Sequence, residues 1–380
     1  MGNKYKVGRV YLAACLGMMF FGVAFIVMGS VLPNMIEKFQ FTETQSSTLV
    51  TALPVGVLLA SILFGPIVDR YGYKQLMIIS TAVLGLGLLG LSFFTDYYYL
   101  CCTVFFIGLG GGSLNGETNA LVAEIYEGST QVSKLSILGV CYGVGALAVP
   151  FILSVFSAMY SYEVILRCTA IIVLLTIIYF SITQFPKPKH EQGLSIKQVT
   201  QMIKQPALLF FSFILFFQSG LEGLLNNWST SYLVNDHIPE NKALLALTAL
   251  VLGITLMRLL LSYLSRVLKP QQVLQLGLVL VVTGLLLFNY LSGVYVSIIS
   301  LFVIGTGLAG VYPVVIAKIG SSFQEMSGTA IGIALVVALS GNSVLNYLMR
   351  FFAIESFPVF LIVCVLIQAV ILFSGRKFFD

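Results

Sequence analysis

The chain has 380 residues, of which 58% are hydrophobic and only 9% are charged. No water-soluble fold can bury that much apolar surface, so the composition excludes a soluble globular protein and predicts an integral membrane protein in a lipid bilayer. The formal net charge of +5 comes from basic residues at the ends of apolar segments, and so it does not indicate nucleic-acid binding.

Apolar segments follow one another along the whole chain, separated by charged residues, prolines and turn residues. Each has about the length of a helix that crosses the hydrocarbon core of a bilayer. We therefore predict an all-α integral membrane fold with twelve transmembrane helices. The predicted spans are residues 9–33, 47–68, 75–95, 98–125, 132–158, 163–184, 206–233, 240–263, 271–292, 295–320, 326–351 and 356–375.

The longest polar segment, residues 185–205, follows the sixth predicted span. It divides the chain into an N-terminal six-helix bundle (residues 1–184), a cytoplasmic linker and a C-terminal six-helix bundle (residues 206–380). Within the linker, residues 195–204 form either a short amphipathic helix on the inner membrane surface or part of a solvated basic segment.

The distribution of Lys and Arg predicts the orientation in the membrane, because cytoplasmic loops carry an excess of both residues. With the N-terminus inside, the outward-facing segments contain only Lys38, Lys242 and Arg350. Both termini are therefore predicted to be cytoplasmic. Short loops and tails are what we expect of a multi-pass protein of a bacterial inner membrane.

A short turn joins the second and third predicted spans and contains two glycines, one acid and two basic residues. These residues are Gly65, Asp69, Arg70, Gly72 and Lys74. The glycines permit close backbone approach or a positive φ, and the acid can accept hydrogen bonds at the N-terminus of a neighbouring helix. The spacing resembles the signature loop of the major facilitator superfamily, with Tyr73 where that family usually has Arg. The resemblance implies a secondary transporter that works by alternating access, with the turn as a conformational latch at the cytoplasmic face.

The two halves of the chain carry an internal repeat. A shift of 197 residues places Gly108-Leu109-Gly110 on Gly305-Thr306-Gly307 and Asp69 on Arg266, so the second copy lacks the acid of the turn. A transporter made of two similar bundles is expected to show such a repeat, with its substrate bound between the bundles near the bilayer midplane. We therefore predict two pseudo-symmetric six-helix bundles.

Polar residues of the fourth predicted span lie where unpaired polar groups are costly, which makes them candidates for function. Asn115 and Asn119 are four residues apart and share one helix face, so both can point into one cavity. Glu117 lies about 200° around the helix from Asn115, at about 100° per residue. It either faces another side of the cavity wall or bonds a neighbouring helix.

The seventh predicted span carries a second set of polar residues. Gln218, Glu222 and Asn226 follow one another at steps of four and form one polar stripe. Asn226-Asn227 is a poor helix-forming pair, which predicts a broken or bent helix beside a watery cavity. Trp228, the only tryptophan, belongs either to the interfacial aromatic belt or to a surface that stacks on the ligand.

Three further spans contain polar groups. Arg258 has no partner in its own helix, so it either offsets a carboxylate across the cavity or reaches the inner membrane surface. Asn342 and Asn346 add amides to the same set, or hold helices together. Glu163 and Arg167 are spaced as a favourable helical ion pair, for which we predict a structural role.

Four stretches resemble the fucose/hexose:proton symporter family. They are the Gly-x-Gly-Ala run before a proline in residues 142–150, the acid and aromatics Glu222, Trp228 and Tyr232, the glycine-rich run ending in Tyr312-Pro313, and Asn119. That family commonly has an acid where Asn115 stands in this chain. The resemblance therefore does not assign the proton carrier, and both Glu222 and Glu117 remain candidates.

These observations predict a proton-coupled symporter of a sugar or a sugar-like polar metabolite. The predicted substrate-binding residues carry amide, hydroxyl or aromatic groups, which bond to sugar hydroxyls or pack on a sugar ring. They are Asn115, Asn119, Gln218, Asn226, Asn227, Trp228, Tyr232, Tyr312, Asn342 and Asn346. Glu222 or Glu117 is predicted to carry the proton, with Arg258 biasing its protonation in one conformation.

An exporter of drugs or other amphiphilic compounds is the alternative, although Val149-Pro150 differs from the Gly-Pro motif of drug antiporters. A transporter-like sensor is a third hypothesis. No cofactor, metal or enzymatic activity is expected, since His190 and His237 lie in opposite loops and the six cysteines lack metal-ligand spacing. We expect a monomer.

Overall fold

The structure is a computed structural model that describes residues 5–156, 159–188, 196–291, 293–375 and 378. Within these ranges the secondary structure is helical, without a β-strand, which confirms the predicted all-α fold. The α-helices are α1 (Val7–Phe39), α2 (Glu43–Tyr71), α3 (Tyr73–Phe93), α4 (Tyr97–Ile125), α5 (Gly128–Phe156), α6 (Tyr162–Ile182), α7 (Ile196–Ile203), α8 (Pro206–Asn235), α9 (Glu240–Leu264), α10 (Pro270–Tyr290), α11 (Val294–Leu308), α12 (Val311–Ser322), α13 (Ser327–Met349) and α14 (Phe357–Ser374).

Twelve helical spans in the described part are long and apolar enough to cross a membrane, as predicted. Helix α7 falls within residues 195–204 of the predicted linker, and α11 and α12 together form the tenth span, Val294–Ser322. Local sequence explains several helix starts. Thr42 and Gln45 form a capping box at α2, and α8 and α10 begin with a proline, whose missing N–H is not needed there.

The break predicted at Asn226-Asn227 is absent. Helix α8 continues through Asn226-Asn227 without interruption, because the amide of Asn226 donates to the carbonyl of Glu222 at 2.7 Å and needs no break in the backbone. The helical hydrogen bonding is interrupted instead between α11 and α12, at Ala309 and Gly310. Pro313 explains that position, because proline has no N–H for the carbonyl four residues before it.

The chain forms two compact units. The first comprises Met1–Ile125, Leu138–Ile196 and Phe323–Gly332, and the second comprises Tyr126–Ile137, Lys197–Ser322 and Ile333–Asp380. Helices α5 and α13 therefore each contribute residues to both units. The predicted division into residues 1–184, 185–205 and 206–380 stays a prediction, and residues 189–195 of the predicted linker lie outside the described ranges.

The same packing contacts occur inside both units, at positions 197 residues apart. In the first unit a Cβ atom on Gly108 of α4 would collide with the carbonyl oxygen of Leu53 on α2. In the second unit a Cβ atom on Gly305 of α11 would collide with the carbonyl oxygen of Leu250 on α9. The matching reverse contacts are Gly56 against Phe105 and Gly253 against Phe302. The internal repeat is thus a repeat of close helix packing, in which only glycine fits.

Candidate functional site

The last turn of α2 contacts the first turn of α13 within the first unit. Asp69 is only 3% exposed, and its Oδ2 accepts hydrogen bonds from the backbone N–H of Thr329 at 2.9 Å and from its hydroxyl at 2.6 Å. Thr329 lies near the N-terminus of α13, where an acid is favoured by the helix dipole. The hydrogen bond predicted for Asp69 at the N-terminus of a helix is therefore present.

Of the residues predicted to form a turn here, only Gly72 lies outside a helix, because α2 and α3 extend further than predicted. Gly65 and Gly72 are buried, and a Cβ atom on Gly65 would lie 2.6 Å from the Cα atom of Thr329. Gly72 alone connects α2 to α3 and has a φ of +80°, which favours glycine. Arg70 and Lys74 are exposed, and the guanidinium of Arg70 lies 5.0 Å from the ring of Tyr71.

Tyr73, which stands where the superfamily usually has Arg, is 4% exposed. Its hydroxyl donates to Oε2 of Glu124 on α4 at 2.8 Å. A neutral phenol thus serves as the donor to this acid. Both residues belong to the first unit.

The polar residues of α4 lie on two different faces, as predicted. The amide of Asn119 donates to the backbone oxygen of Asn115 at 2.8 Å and to its Oδ1 at 3.1 Å. Glu117 is completely buried, and neither carboxylate oxygen has a hydrogen-bond donor among the described residues, although Ser80 of α3 lies near it. Glu117 therefore faces a neighbouring helix, on a different side of α4 from the two amides.

An ion pair joins α8 to α9 in the second unit. The guanidinium of Arg258 lies 3.9 Å from Oε1 of Glu222, and the two side chains are 15% and 29% exposed. Tyr312, another of the predicted binding residues, lies in the first turn of α12. Of the two alternatives for Arg258, an acidic partner or the inner membrane surface, the structure shows an acidic partner, Glu222.

The side chain of Gln218 is hydrogen-bonded to the backbone where the helix of the tenth span is interrupted. Its side-chain amide is 2% exposed and donates to the carbonyl oxygen of Leu308, the last residue of α11, at 2.9 Å. This bond replaces a helical hydrogen bond that the interruption leaves unmade. The predicted substrate-binding role of Gln218 stays a prediction, and its observed contact is with the backbone.

A polar network organises the other end of α8. Oδ1 of Asn346 accepts hydrogen bonds from the amide of Asn227 at 3.0 Å and from the indole N–H of Trp228 at 3.1 Å. The amide of Asn346 donates to the backbone oxygen and to Oδ1 of Asn342, both at 2.8 Å. Both polar side-chain atoms of Asn346 therefore form hydrogen bonds with neighbouring residues.

These side chains form one wall of a pocket of about 440 Å³, which is within the usual size range of small-molecule sites. Its lining residues all belong to the second unit and are Asn227, Trp228, Ser231, Asn346, Tyr347 and Arg350. The structure therefore brings together Asn227, Trp228 and Asn346 of the predicted binding residues. It places Tyr232 elsewhere, with its ring 5.1 Å from that of Phe288 and 5.8 Å from that of Phe357.

Sequence reasoning missed four residues at this site. Ser231 and Arg350 lie four residues after Asn227 and Asn346, and helical spacing could have identified both. Tyr347 follows Asn346 directly. Gly223 is the fourth, because a Cβ atom there would collide with Oδ1 of Asn342 and lie 2.9 Å from Nδ2 of Asn346.

The ion pair predicted between Glu163 and Arg167 is not formed. Glu163 pairs with Lys38 of α1 at 2.6 Å, while Arg167 donates to the carbonyl of Ser92 at 3.2 Å. The guanidinium of Arg167 also lies 4.3 Å from the centre of the Phe93 ring. Contacts between helices therefore replace the contact along one helix.

In the described part of the chain, no group of three or more His, Cys, Asp or Glu residues is arranged to hold a metal ion. His190 lies outside the described residues. The expectation that the protein needs no metal or cofactor stays a prediction.

Comparison with known proteins identifies the relatives of this arrangement. The sequence model described as Major Facilitator Superfamily matches residues 14–346. The glucose/mannose transporter GlcP of Bacillus subtilis (strain 168) is 23% identical over 345 residues, which cover 86% of this chain and 84% of GlcP. The resemblance carried by the turn between α2 and α3 is thereby confirmed.

Two solved structures share the fold. FucP in the outward conformation, a fucose:proton symporter of E. coli, has a TM-score of 0.81 at 19% identity and covers 97% of this chain and 98% of its own. The proton:xylose symporter XylE, bound to 6-bromo-6-deoxy-D-glucose, has a TM-score of 0.77 at 13% identity over 97% of this chain and 95% of its own.

Proposed function

The chain belongs to the Major Facilitator Superfamily, and we propose that it imports a sugar or a sugar-like polar metabolite together with a proton by alternating access. The observation that carries this proposal is the pair of Glu222 and Arg258, which lies on the polar side of α8. Such intramembrane charges are costly and are typical of ion and substrate pathways.

The geometry of the pair suits a reversible proton site. Glu222 is partly exposed, so protons and water reach it, and its distance of 3.9 Å from Arg258 is long for an ion pair. A proton on Glu222 removes the charge that attracts Arg258 and releases the guanidinium toward another acceptor. Two conformations that differ in this contact then differ in proton affinity, which is what coupling requires.

We assign the proton to Glu222 and a structural role to Glu117. Glu117 is completely buried and has no charged partner among the described residues. Its ionised form would be an unpaired charge in a low-dielectric interior, which is strongly unfavourable. Glu222 has both the counter-charge and the exposure that a cycle of binding and release needs.

A sugar suits the second unit because its polar groups are mostly neutral. Asn227 and Ser231 offer amide and hydroxyl groups to sugar hydroxyls, and the indole of Trp228 offers a face on which a sugar ring packs. The names of GlcP, FucP and XylE support a sugar as the substrate. No catalytic activity, metal or cofactor is part of the proposal.

Alternating access requires a contact that breaks in one state, and we assign this role to the bonds between Asp69 and Thr329. The protein is an integral membrane protein. We further propose that it is a monomer of a bacterial inner membrane with both termini in the cytoplasm. Residues 1–4, 376, 377, 379 and 380 lie outside the described structure.

The proposal is tested in de-energised, lightly buffered cells that express the protein, by recording the external pH while sugars, amino sugars and nucleosides are added. Alkalinisation with one class of compound supports proton symport and identifies the substrate class. If no compound of the panel changes the external pH and the cells export amphiphilic dyes, the result contradicts the proposal and favours the exporter.

The matched variants Glu222→Gln and Glu117→Gln separate the two acids. Glu222→Gln is expected to abolish substrate accumulation and proton uptake while it retains exchange of substrate between the two sides. Glu117→Gln is expected to retain accumulation, because a buried neutral amide replaces an acid that we place outside the proton cycle. Unchanged accumulation in Glu222→Gln would reject the assignment.

A further inference from the structure

The pocket in the second unit contains a cation for which the structure provides no counter-charge. Arg350 lines the pocket, and no Asp or Glu is among its lining residues. Among the described residues, no ion pair includes Arg350. Arg350 is exposed, whereas two less exposed or paired cations have an acid beside them, Lys38 with Glu163 and Arg258 with Glu222.

The lining of the pocket therefore combines one positive charge with neutral hydrogen-bonding groups. Asn346 spends its amide on Asn227, Trp228 and Asn342, so it positions the wall rather than contacting a ligand. The groups left for a ligand are the second amide proton and the oxygen of Asn227, and the hydroxyls of Ser231 and Tyr347. These groups recognise hydroxyls, whereas a guanidinium recognises a planar anion.

The position of Arg350 after the last residue of α13 gives it a favourable interaction with the helix dipole. That interaction explains a cation at this helix end. It does not explain why the same residue also lies on the wall of a pocket lined with hydroxyl and amide groups. A neutral sugar leaves the charge unused, while a carboxylate fits the forked donors of arginine with two parallel hydrogen bonds.

We infer that the physiological substrate is a sugar that carries a carboxylate, such as a uronic acid, and that Arg350 binds this carboxylate. The inference rests on the proposed function and specifies its substrate class. Arg350 is then a specificity-determining residue, because it distinguishes an acidic sugar from the neutral sugar of the same shape.

Trp228 provides a direct measurement, because it is the only tryptophan in the chain and lines the pocket. The purified full-length protein is titrated with D-glucuronate and D-glucose, and with D-galacturonate and D-galactose, while tryptophan fluorescence is recorded. The members of each pair differ only at carbon 6. Each uronate is expected to bind about tenfold more tightly than its neutral partner, the effect of one charge-assisted hydrogen-bonded contact.

The Arg350→Gln variant is expected to lose this preference of about tenfold while its affinity for the neutral sugars is retained. Arg350→Lys keeps the positive charge but loses the two parallel donors of the guanidinium. Its preference for uronates should lie between that of the unchanged protein and that of Arg350→Gln. Lys242→Gln is the matched control, because it removes an exposed cation that does not line the pocket, and it should leave all four affinities unchanged.

Two results would overturn the inference and leave the proposed function in place. One is tighter binding of the neutral sugars than of the uronates. The other is an equal loss of affinity for acidic and neutral sugars in Arg350→Gln, which would indicate a structural role. If no sugar of either kind binds or is exchanged across the membrane, the proposed function fails as well.

Discussion

The two units differ in the hydrogen bonds at the ends of two corresponding helices, α2 in the first unit and α9 in the second. In the first unit, the end of α2 contacts the start of α13 through Asp69, whose carboxylate accepts two hydrogen bonds from Thr329. In the second unit, the end of α9 contacts the start of α5, where the hydroxyl of Ser133 donates to the carbonyl oxygen of Ser262 at 2.8 Å. Ser262 stands 197 residues after Gly65.

The two contacts differ in the charge of the hydrogen-bond acceptor. Both contacts are buried, but only the first involves a charged acceptor, because Arg266 occupies the position that corresponds to Asp69. A neutral hydrogen bond contributes about 1 kcal/mol, and a bond to a charged group about 1.5–3 kcal/mol. Close helix packing is therefore present in both units, whereas the hydrogen bonds to a charged acceptor are present only in the first.

The largest effect is expected where the two units are most alike. Gly108→Ala and Gly305→Ala each place a Cβ atom against a backbone carbonyl, so the helices must separate, at a cost of about 3 kcal/mol or more in the free energy of unfolding. Both variants should lower the melting temperature in detergent by similar amounts. Gly143→Ala is the control, because nothing lies within 4 Å of a Cβ atom there. Damage in only one of the two variants would show that the contacts are not equivalent.

The second effect should differ between the units. Asp69→Ala leaves the N–H and hydroxyl of Thr329 buried without their acceptor and is expected to cost about 2–3 kcal/mol, whereas Ser133→Ala should cost about 1 kcal/mol. Thermal stability and uptake, each normalised to the amount of protein, measure the difference. Thr329→Val removes one of the two bonds and should give an intermediate loss. Equal losses in Asp69→Ala and Ser133→Ala would contradict the comparison.

A smaller effect is expected from Gly223→Ala in the second unit. The added methyl group would collide with the amide of Asn342 and crowd that of Asn346, which can move at a cost of about 1 kcal/mol. The network that holds Trp228 would shift with them, so sugar binding measured by tryptophan fluorescence should weaken more than stability. Gly29→Ala in α1 is the control, since its Cβ position is open. Normal binding in Gly223→Ala would show that Asn346 does not position the pocket.

The smallest effect should come from Tyr73→Phe. It removes the hydrogen bond to Glu124 and leaves the ring in place, for a loss of about 1 kcal/mol in the first unit. Tyr71→Phe is the matched control, because Tyr71 is 51% exposed. A small decrease in melting temperature for Tyr73→Phe alone is expected. An equal decrease in melting temperature in both variants would show that the loss of any tyrosine hydroxyl, and not of the bond to Glu124, causes the effect.

The sequence was sufficient to predict the fold because each span must be apolar over its whole length. The predicted start of the eighth span at residue 240 and the observed start of α9 at Glu240 coincide, and other ends differ by a few residues. The shift of 197 residues, which aligns glycines of the two halves and places Asp69 on Arg266, corresponds to contacts of backbone with backbone at the glycines. The aligned glycines therefore mark positions of close helix packing.

The candidate site was less predictable, because its contacts join different helices. Nothing along the chain showed that Arg258 would meet Glu222, or that Glu163 would prefer Lys38 to Arg167. Asn226-Asn227 was expected to break or bend a helix because amides are poor helix formers, yet their side chains find hydrogen-bond partners without a break. Propensity describes an isolated helix, and tertiary contacts decide the result.

The interruption between α11 and α12 has a mechanical consequence. Pro313 removes a backbone hydrogen bond, and the carbonyl of Leu308 is bonded to the side chain of Gln218. Bending elsewhere in a helix breaks backbone bonds, whereas bending here stretches one side-chain bond whose donor sits on a rotatable arm. Ala309 keeps ordinary helical angles, with φ −59° and ψ −32°, although the helix is interrupted there. Bending of the tenth span at this point therefore breaks fewer backbone hydrogen bonds than bending elsewhere along it.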